Sequence, residues 1–254
     1  MCDFFSFRTD GAGKIYYLNA EQRKEVLAKG ENPDSHTFIA HYYGFKGEDE
    51  DMLNAYEYNS LTKEFKIDRM NNKDDSVQAR AFCENLDYKT VVPELIVKPI
   101  VNPLRIKHGE ITETDIERLK QWIAVMVAVR TTLLDTMADV MRDSLWDFVG
   151  GSVRDSLWNV VGVSVLDFVW SSVRDFAKHV IDFEIDSIWD FVWAYVSSFF
   201  NLPKWKYIEH EEGTNPFQCA IDLWESGLVP SFDGYTWRLH GGRDAGVLYE
   251  LKEK

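Results

Sequence analysis

Between Trp122 and Ile185 an apolar residue recurs at every fourth position, and its neighbours return to nearly the same letters each time. Written in fours, the chain reads WIAV MVAV RTTL LDTM ADVM RDSL WDFV GGSV RDSL WNVV GVSV LDFV WSSV RDFA KHVI DFEI. The phase holds from Val125 to Ile185. After one residue is lost at Asp186-Ser187-Ile188, it resumes as WDFV WAYV SSFF. An α-helix turns about 100° per residue, so each step of four overshoots a full turn by about 40° and carries the stripe around the cylinder. A helix that buries one face mixes steps of three and four instead. In an extended chain four residues are two whole pleats, and the apolar residue returns to the same side without drift. The pattern therefore predicts a β-solenoid over residues 122–202, its interior filled by the fourth slots and its corners marked by Asp143, Asp147, Asp155, Asn159, Asp167 and Asp175. The alternative is packed helices broken at Gly150, Gly151 and Gly162, which the Ala-, Met- and Leu-rich start of the region favours.

The flanking segments have ordinary periodicities. Residues 1–104 read as an N-terminal α/β domain. "FFSFRTD", "GKIYYLN" and "AYEYNSLTKEFKID" alternate like strands, with turns at Asp10-Gly11 and Asn59-Ser60. "AEQRKEVLAKG" and "DDSVQARAFCENL" read as helices, the first ending at Gly30. A loop with Pro93, Pro99 and Pro103 closes this region. Residues 105–121 form a linker and the start of a helix, capped by Thr112 or Thr114 with Asp115 and Glu117 at its positive end. Residues 203–254 read as a small α+β cap. In it, "NPFQCAIDLWESG" is a helix with Asn215 as N-cap, Pro216 in the first turn and Gly227 beyond its end, and "YTWRLHGG" with "AGVLYELKE" makes a hairpin. The fold class expected for the whole chain is α+β.

Composition narrows the class of partner. The 254 residues carry a formal charge of -14, so a phosphate backbone or an anionic membrane surface is an unfavourable partner, and direct nucleic-acid binding is not expected. The most apolar window, "WIAVMVAV", is far shorter than the roughly 20 residues of a membrane helix, and no secretory signal is read at the N-terminus. The cysteines Cys2, Cys83 and Cys219 are odd in number and widely spaced, which fits a reducing, cytoplasmic setting without a disulfide framework.

Candidate chemistry is sparse. Cys2 is a weak candidate nucleophile, because loss of Met1 would let its own α-amino group serve as base, as in N-terminal-nucleophile hydrolases. His36 and His41 are five apart, and His210 sits among Glu209, Glu211 and Glu212. Neither spacing is that of a metal site, and the acidic run "GEDEDM" lacks the alternating oxygen ligands of a calcium loop. No phosphate-binding glycine loop or dinucleotide fingerprint is present, and neither a cofactor nor a metal is expected. The aromatic residues of the repeat carry more. If Trp146, Trp158, Trp170, Trp189 and Trp193 face outward, they form an apolar stripe with Arg142, Arg154 and Arg174 interleaved, a surface suited to a protein partner. If they face inward, they are core.

The tetrads RDSL, WDFV, WSSV and WAYV followed by SSFF resemble the tandem DSVW/DSVR tetrapeptides of uncharacterised proteins from phage and environmental genomes. "CDFF" at the start and "GLVPSFDGYTWRLHGG" near the end are similar to segments flanking those repeats. The resemblance implies a context and no activity. The expectation is a non-enzymatic repeat scaffold that works by protein contact, self-association included. Alternatives are a phage accessory factor acting as an acidic nucleic-acid mimic or sequestering a nucleotide, and a hydrolase using Cys2.

Overall fold

The computed structural model describes residues 5–130, 136–148, 165, 166, 170 and 182–252. The chain forms two compact units, one built on residues 1–98 and the other on residues 99–148 and 165–254.

In the first unit, strands β1 (Phe5–Thr9), β2 (Ile15–Tyr16), β3 (Asn54–Asn59) and β4 (Glu64–Arg69) pair antiparallel in the order β2-β1-β3-β4. β1 is buried along its whole length, so both faces of the sheet are covered at this strand. One face is aromatic: Phe5 and Phe7 stack at 5.5 Å, Phe7 on Tyr56 at 5.4 Å, and Phe82 of helix α4 (Ser76–Asn85) sits 5.8 Å from Phe7. A second apolar cluster gathers Tyr16, Leu18 and Leu53 with Val26 of α1 (Ala20–Ala28) and Ile39 and Ala40 of α2 (His36–Tyr42). A short helix, α3 (Glu48–Asp51), leads into β3. Helix α1 starts in a capping box, Asn19 accepting from Gln22 N while the Gln22 side chain accepts from Asn19 N, and it stops where Gly30 takes φ +76°. Its Arg23 makes a bidentate pair with Asp34 at 2.8 and 2.6 Å, both side chains 4% exposed. Asp75 does not cap α4. Its Oδ1 instead accepts from Thr9, Asn54 and Tyr56, which fixes the start of the helix to the sheet.

In the second unit, helices α5 (Glu113–Arg130), α6 (Met137–Phe148), α7 (Asp182–Val196) and α8 (Gln218–Glu225) accompany an antiparallel sheet ordered β5-β6-β7. Its strands are Leu228–Phe232, Thr236–Gly241 and Gly246–Lys252. Thr112 is the cap of α5: its Oγ1 accepts from Asp115 N, and the Asp115 carboxylate accepts from Thr112 N and Oγ1. The α5 residues buried on the core side are Asp115, Leu119, Trp122, Met126 and Val129, in steps of four and three. Those of α6 are Met137, Val140, Met141 and Ser144. Phe191 of α7 lies edge-on to Trp122 and against Trp224, and Tyr195 stacks on Trp224 at 4.7 Å. Tyr195 Oη accepts from Val101 N and Trp224 Nε1 donates to Val101 O, which pins the loop before α5 to this aromatic centre.

These helices correct the β-solenoid expectation over the described part of residues 122–202, where the helical alternative holds. The physical reason differs between helices. In α5 the burial stripe is an ordinary one that the fourth-slot count does not follow, since Trp122 and Met126 are buried while Val125 is half-buried. α7 is buried on almost every side from Ser187 onward, only Trp189 and Trp193 being half-exposed, so a drifting stripe costs it nothing. The repeat between residues 149 and 164 lies outside the described residues.

Candidate functional site

Of the residues singled out from the sequence, Cys2, Trp158, Arg154, Arg174 and the side chain of Trp146 lie outside the described residues. Trp170 is half-buried and stacks on Trp189 at 4.0 Å with an 11° interplanar angle. Arg142 is exposed and turns to its own helix, 2.6 Å from Asp139 and 3.8 Å from Asp143. Trp189 and Trp193 of the expected stripe are half-buried on α7, so its four described members lie on the second unit's own helices, Trp170 against Trp189 and Arg142 against Asp139 and Asp143.

The histidines of the first unit hold loops and helices in place. His36 Nε2 meets Tyr56 O at 3.0 Å and its Nδ1 lies 3.3 Å from Asp68, while His41 Nε2 pairs with Glu50 at 3.0 Å. In the second unit, His210 Nε2 accepts from Trp205 N at 2.9 Å. Among the described residues no group of three or more His, Cys, Asp and Glu side chains is placed to hold a metal ion.

One pair unread in the sequence has the layout of nucleophile and base. Ser231 Oγ on β5 lies 2.8 Å from His240 Nε2 on β6, and His240 Nδ1 lies 3.1 Å from Ala245 O in the following turn. A carbonyl only accepts, so Nδ1 carries the proton and Nε2 accepts from the serine. Burial holds the imidazole down at about 4, with the charge of Arg238 adding to the effect, so it is neutral at physiological pH. Access decides the chemistry. Ser231 is 0% exposed and His240 5%, so the pair is closed to substrate and acts as a lock joining β5, β6 and the β6–β7 turn. The local signal was a serine and a histidine on the two strands flanking Asp233-Gly234, where diagonal residues of a hairpin meet.

The surface features with functional content are two sheet edges. Among the described residues no strand pairs with the outer side of β4 or of β7. β4 alternates Glu64 and Lys66 with Phe65 and Ile67, Asp68 is the extra residue of a bulge that sets Arg69 opposite Ala55, and Ile67 is 48% exposed. Glu57 holds Lys66 at 2.9 Å, and the Arg80 guanidinium covers the Phe65 ring at 4.9 Å. β7 exposes Val247 at 51% and Leu248 at 44%, and Tyr235 in the β5–β6 loop is 81% exposed. Its register slips between Leu239 and His240, leaving Leu248 as the extra residue of a bulge. Arg238 bridges Asp233 and Glu250 at 2.6 and 3.0 Å beside it. Charges and bulges are the usual guards of an open edge, and both edges carry them, yet each keeps exposed apolar side chains.

No protein-family model, curated protein or solved structure matches the chain. Among the described residues no helix is long and apolar enough to cross a membrane.

Proposed function

We propose that the protein works by protein–protein contact rather than by catalysis, its two sheets offering strand edges to a partner. The observation that carries this reading is the exposed apolar side chains on both terminal strands: Ile67 on β4, and Val247 and Leu248 on β7. An unpaired edge supplies backbone donors and acceptors for an added strand, and the exposed side chains supply specificity. The buried, neutral state of the Ser231–His240 pair supports the non-catalytic side of the proposal. A reducing, cytoplasmic setting is supported by two unpaired, buried thiols, Cys83 and Cys219, which burial pushes up to about 12 and about 11.

The experiment is sedimentation velocity of the full chain beside the variants Ile67→Lys and Val247→Lys, which place a charge on one edge each without touching the core. The chain is expected to sediment above the monomer, and one edge variant to return it there. A chain that stays monomeric at all concentrations, with both variants binding an added strand-forming peptide no more weakly than it does, contradicts the proposal.

A further inference from the structure

We infer that the exposed end of α2, with the adjoining α3, is a docking surface for a basic segment of a partner protein: tyrosine rings take its cationic side chains and three carboxylates supply the counter-charge. The surface follows from one stretch of sequence, "HYYGFKGEDED". Helix α2 ends in a Schellman turn, in which Gly44 at φ +89° lets its own N–H reach His41 O and that of Phe45 reach Ala40 O. The reversal lays Phe45 against Tyr16, ring centroids 5.0 Å apart, and leaves Tyr42 and Tyr43 37% and 40% exposed at the helix end. Gly47, at φ +58°, then leads into α3. Glu50 is spent inward, 3.0 Å from His41 Nε2 and 3.7 Å from Arg8, which fastens α3 to α2 and to the sheet. Glu48, Asp49 and Asp51 are exposed and make no ion pair among the described residues.

The aromatic row already holds a cation. Lys14 Nζ lies 5.1 Å from the Tyr16 centroid, and Tyr16 meets Tyr43 at 5.2 Å. Tyr42 meets Tyr43 at 72°, and two rings at that angle form a corner that flanks a further ammonium or guanidinium on two sides. Tyr43 Oη donates to Tyr17 O at 2.6 Å, so its ring is fixed before a partner arrives and little order is lost on binding. Charge selects the occupant. The link between rings and acids carries one lysine, Lys46, against three exposed carboxylates, in a chain of formal charge -14. A phosphate backbone or an anionic membrane is repelled, and a second copy docking through the same face would set the carboxylates against themselves. A Lys- or Arg-rich segment satisfies rings and carboxylates together. The surface uses side chains and not the strand edges proposed above, so either can fail without the other.

The test is fluorescence anisotropy of a fluorescein-labelled peptide of alternating arginine and serine, titrated with the full chain and with variants shown to be folded by circular dichroism. Asp49→Lys is expected to weaken binding at least about fivefold and Tyr42→Ala about threefold, while Tyr42→Phe, which keeps the ring face, binds like the parent chain. Glu212→Lys, the same charge change at an exposed site of the second unit, is expected to stay within about twofold of the parent. A peptide that does not bind, a Tyr42→Ala chain that binds like the parent, or equal losses in Glu212→Lys and Asp49→Lys overturns the inference. If Ile67→Lys abolishes binding and Tyr42→Ala does not, the peptide sits on the β4 edge: the surface inferred here is overturned and the contact reading above stands.

Discussion

Lowering the pH from 7 to 4 tests the Ser231–His240 lock. The imidazole has an ordinary value of 6.5 and is held at about 4 in the fold by burial. Its proton therefore binds first in the unfolded chain. The stability it contributes is complete above pH 6.5, and it is lost as pH falls from 6.5 through 4, at up to about 1.4 kcal/mol per pH unit and about 3 kcal/mol in all. The structural cause is concrete: a proton on Nε2 removes the acceptor that Ser231 Oγ uses at 2.8 Å, while Nδ1 is already committed to Ala245 O. The assay is urea unfolding followed by tryptophan fluorescence at a series of pH values, for the parent chain and for His240→Asn, whose amide can still donate to Ala245 O. Trp237 lies on the same strand as His240, so the probe reports the right unit. Carboxylates titrate in both proteins and cancel in the difference. The parent chain is predicted to lose about 3 kcal/mol relative to His240→Asn between pH 7 and 4. Parallel profiles would show that His240 is not a buried neutral acceptor, and the argument that the pair is closed to chemistry would fail with it.

Three further outcomes follow from the packing. Asp34→Ala strands Arg23 at a site where its side chain is 4% exposed, and is expected to cost about 3–5 kcal/mol in urea unfolding followed by far-ultraviolet circular dichroism; residues 1–98 contain no tryptophan, so the fluorescence transition should move far less. Gly227→Ala combines φ +87° with a Cβ that would sit 2.9 Å from Ile106 Cβ, and should lower stability by about 1–3 kcal/mol, read as a fall in melting temperature. Trp122→Phe should cost clearly less than Trp224→Phe: the buried Nε1 of Trp122 has no hydrogen-bond partner among the described residues, whereas that of Trp224 donates to Val101 O at 2.8 Å. Equal losses in the last pair would contradict the hydrogen-bond assignment.

Local chemistry was legible in the sequence where a single turn or cap decides the structure. Asn19 and Gln22 form the box that opens α1, Asp10 Oδ1 accepts from Ala12 N and Lys14 N in the first turn, and Asn59 Oδ1 accepts from Leu61 N and Thr62 N in the loop before β4. In the C-terminal segment the helix starts two residues later than its sequence predicts: Asn215 Oδ1 accepts from Phe217 N, and the first helical residue is Gln218. The sequence pattern predicts no strand at β5. Pro230 argues against one, and it is tolerated opposite Leu239 because β5 is a terminal strand of its sheet.

The repeat misled for a different reason. Period counting assumes that one face of an element is buried, and α7 is enclosed by its neighbours from Ser187 to Val196 apart from its two tryptophans. In α5 the buried set includes Trp122 and Met126, residues outside the aliphatic column on which the count rested. The edges could not be read from periodicity either. β3 and β4 are both short alternating segments, and which of them ends the sheet is set by the connection from β2 to β3, which passes β1 and places β3 beside it.

Hydrogen exchange of the full chain at dilute and at concentrated protein reads the strand edges directly. Contact through these edges predicts that amides of residues 64–69 gain protection as concentration rises, while those of β1 and β3, already inside the sheet, stay protected throughout. Identical exchange of β4 and of β7 at both concentrations would contradict the account.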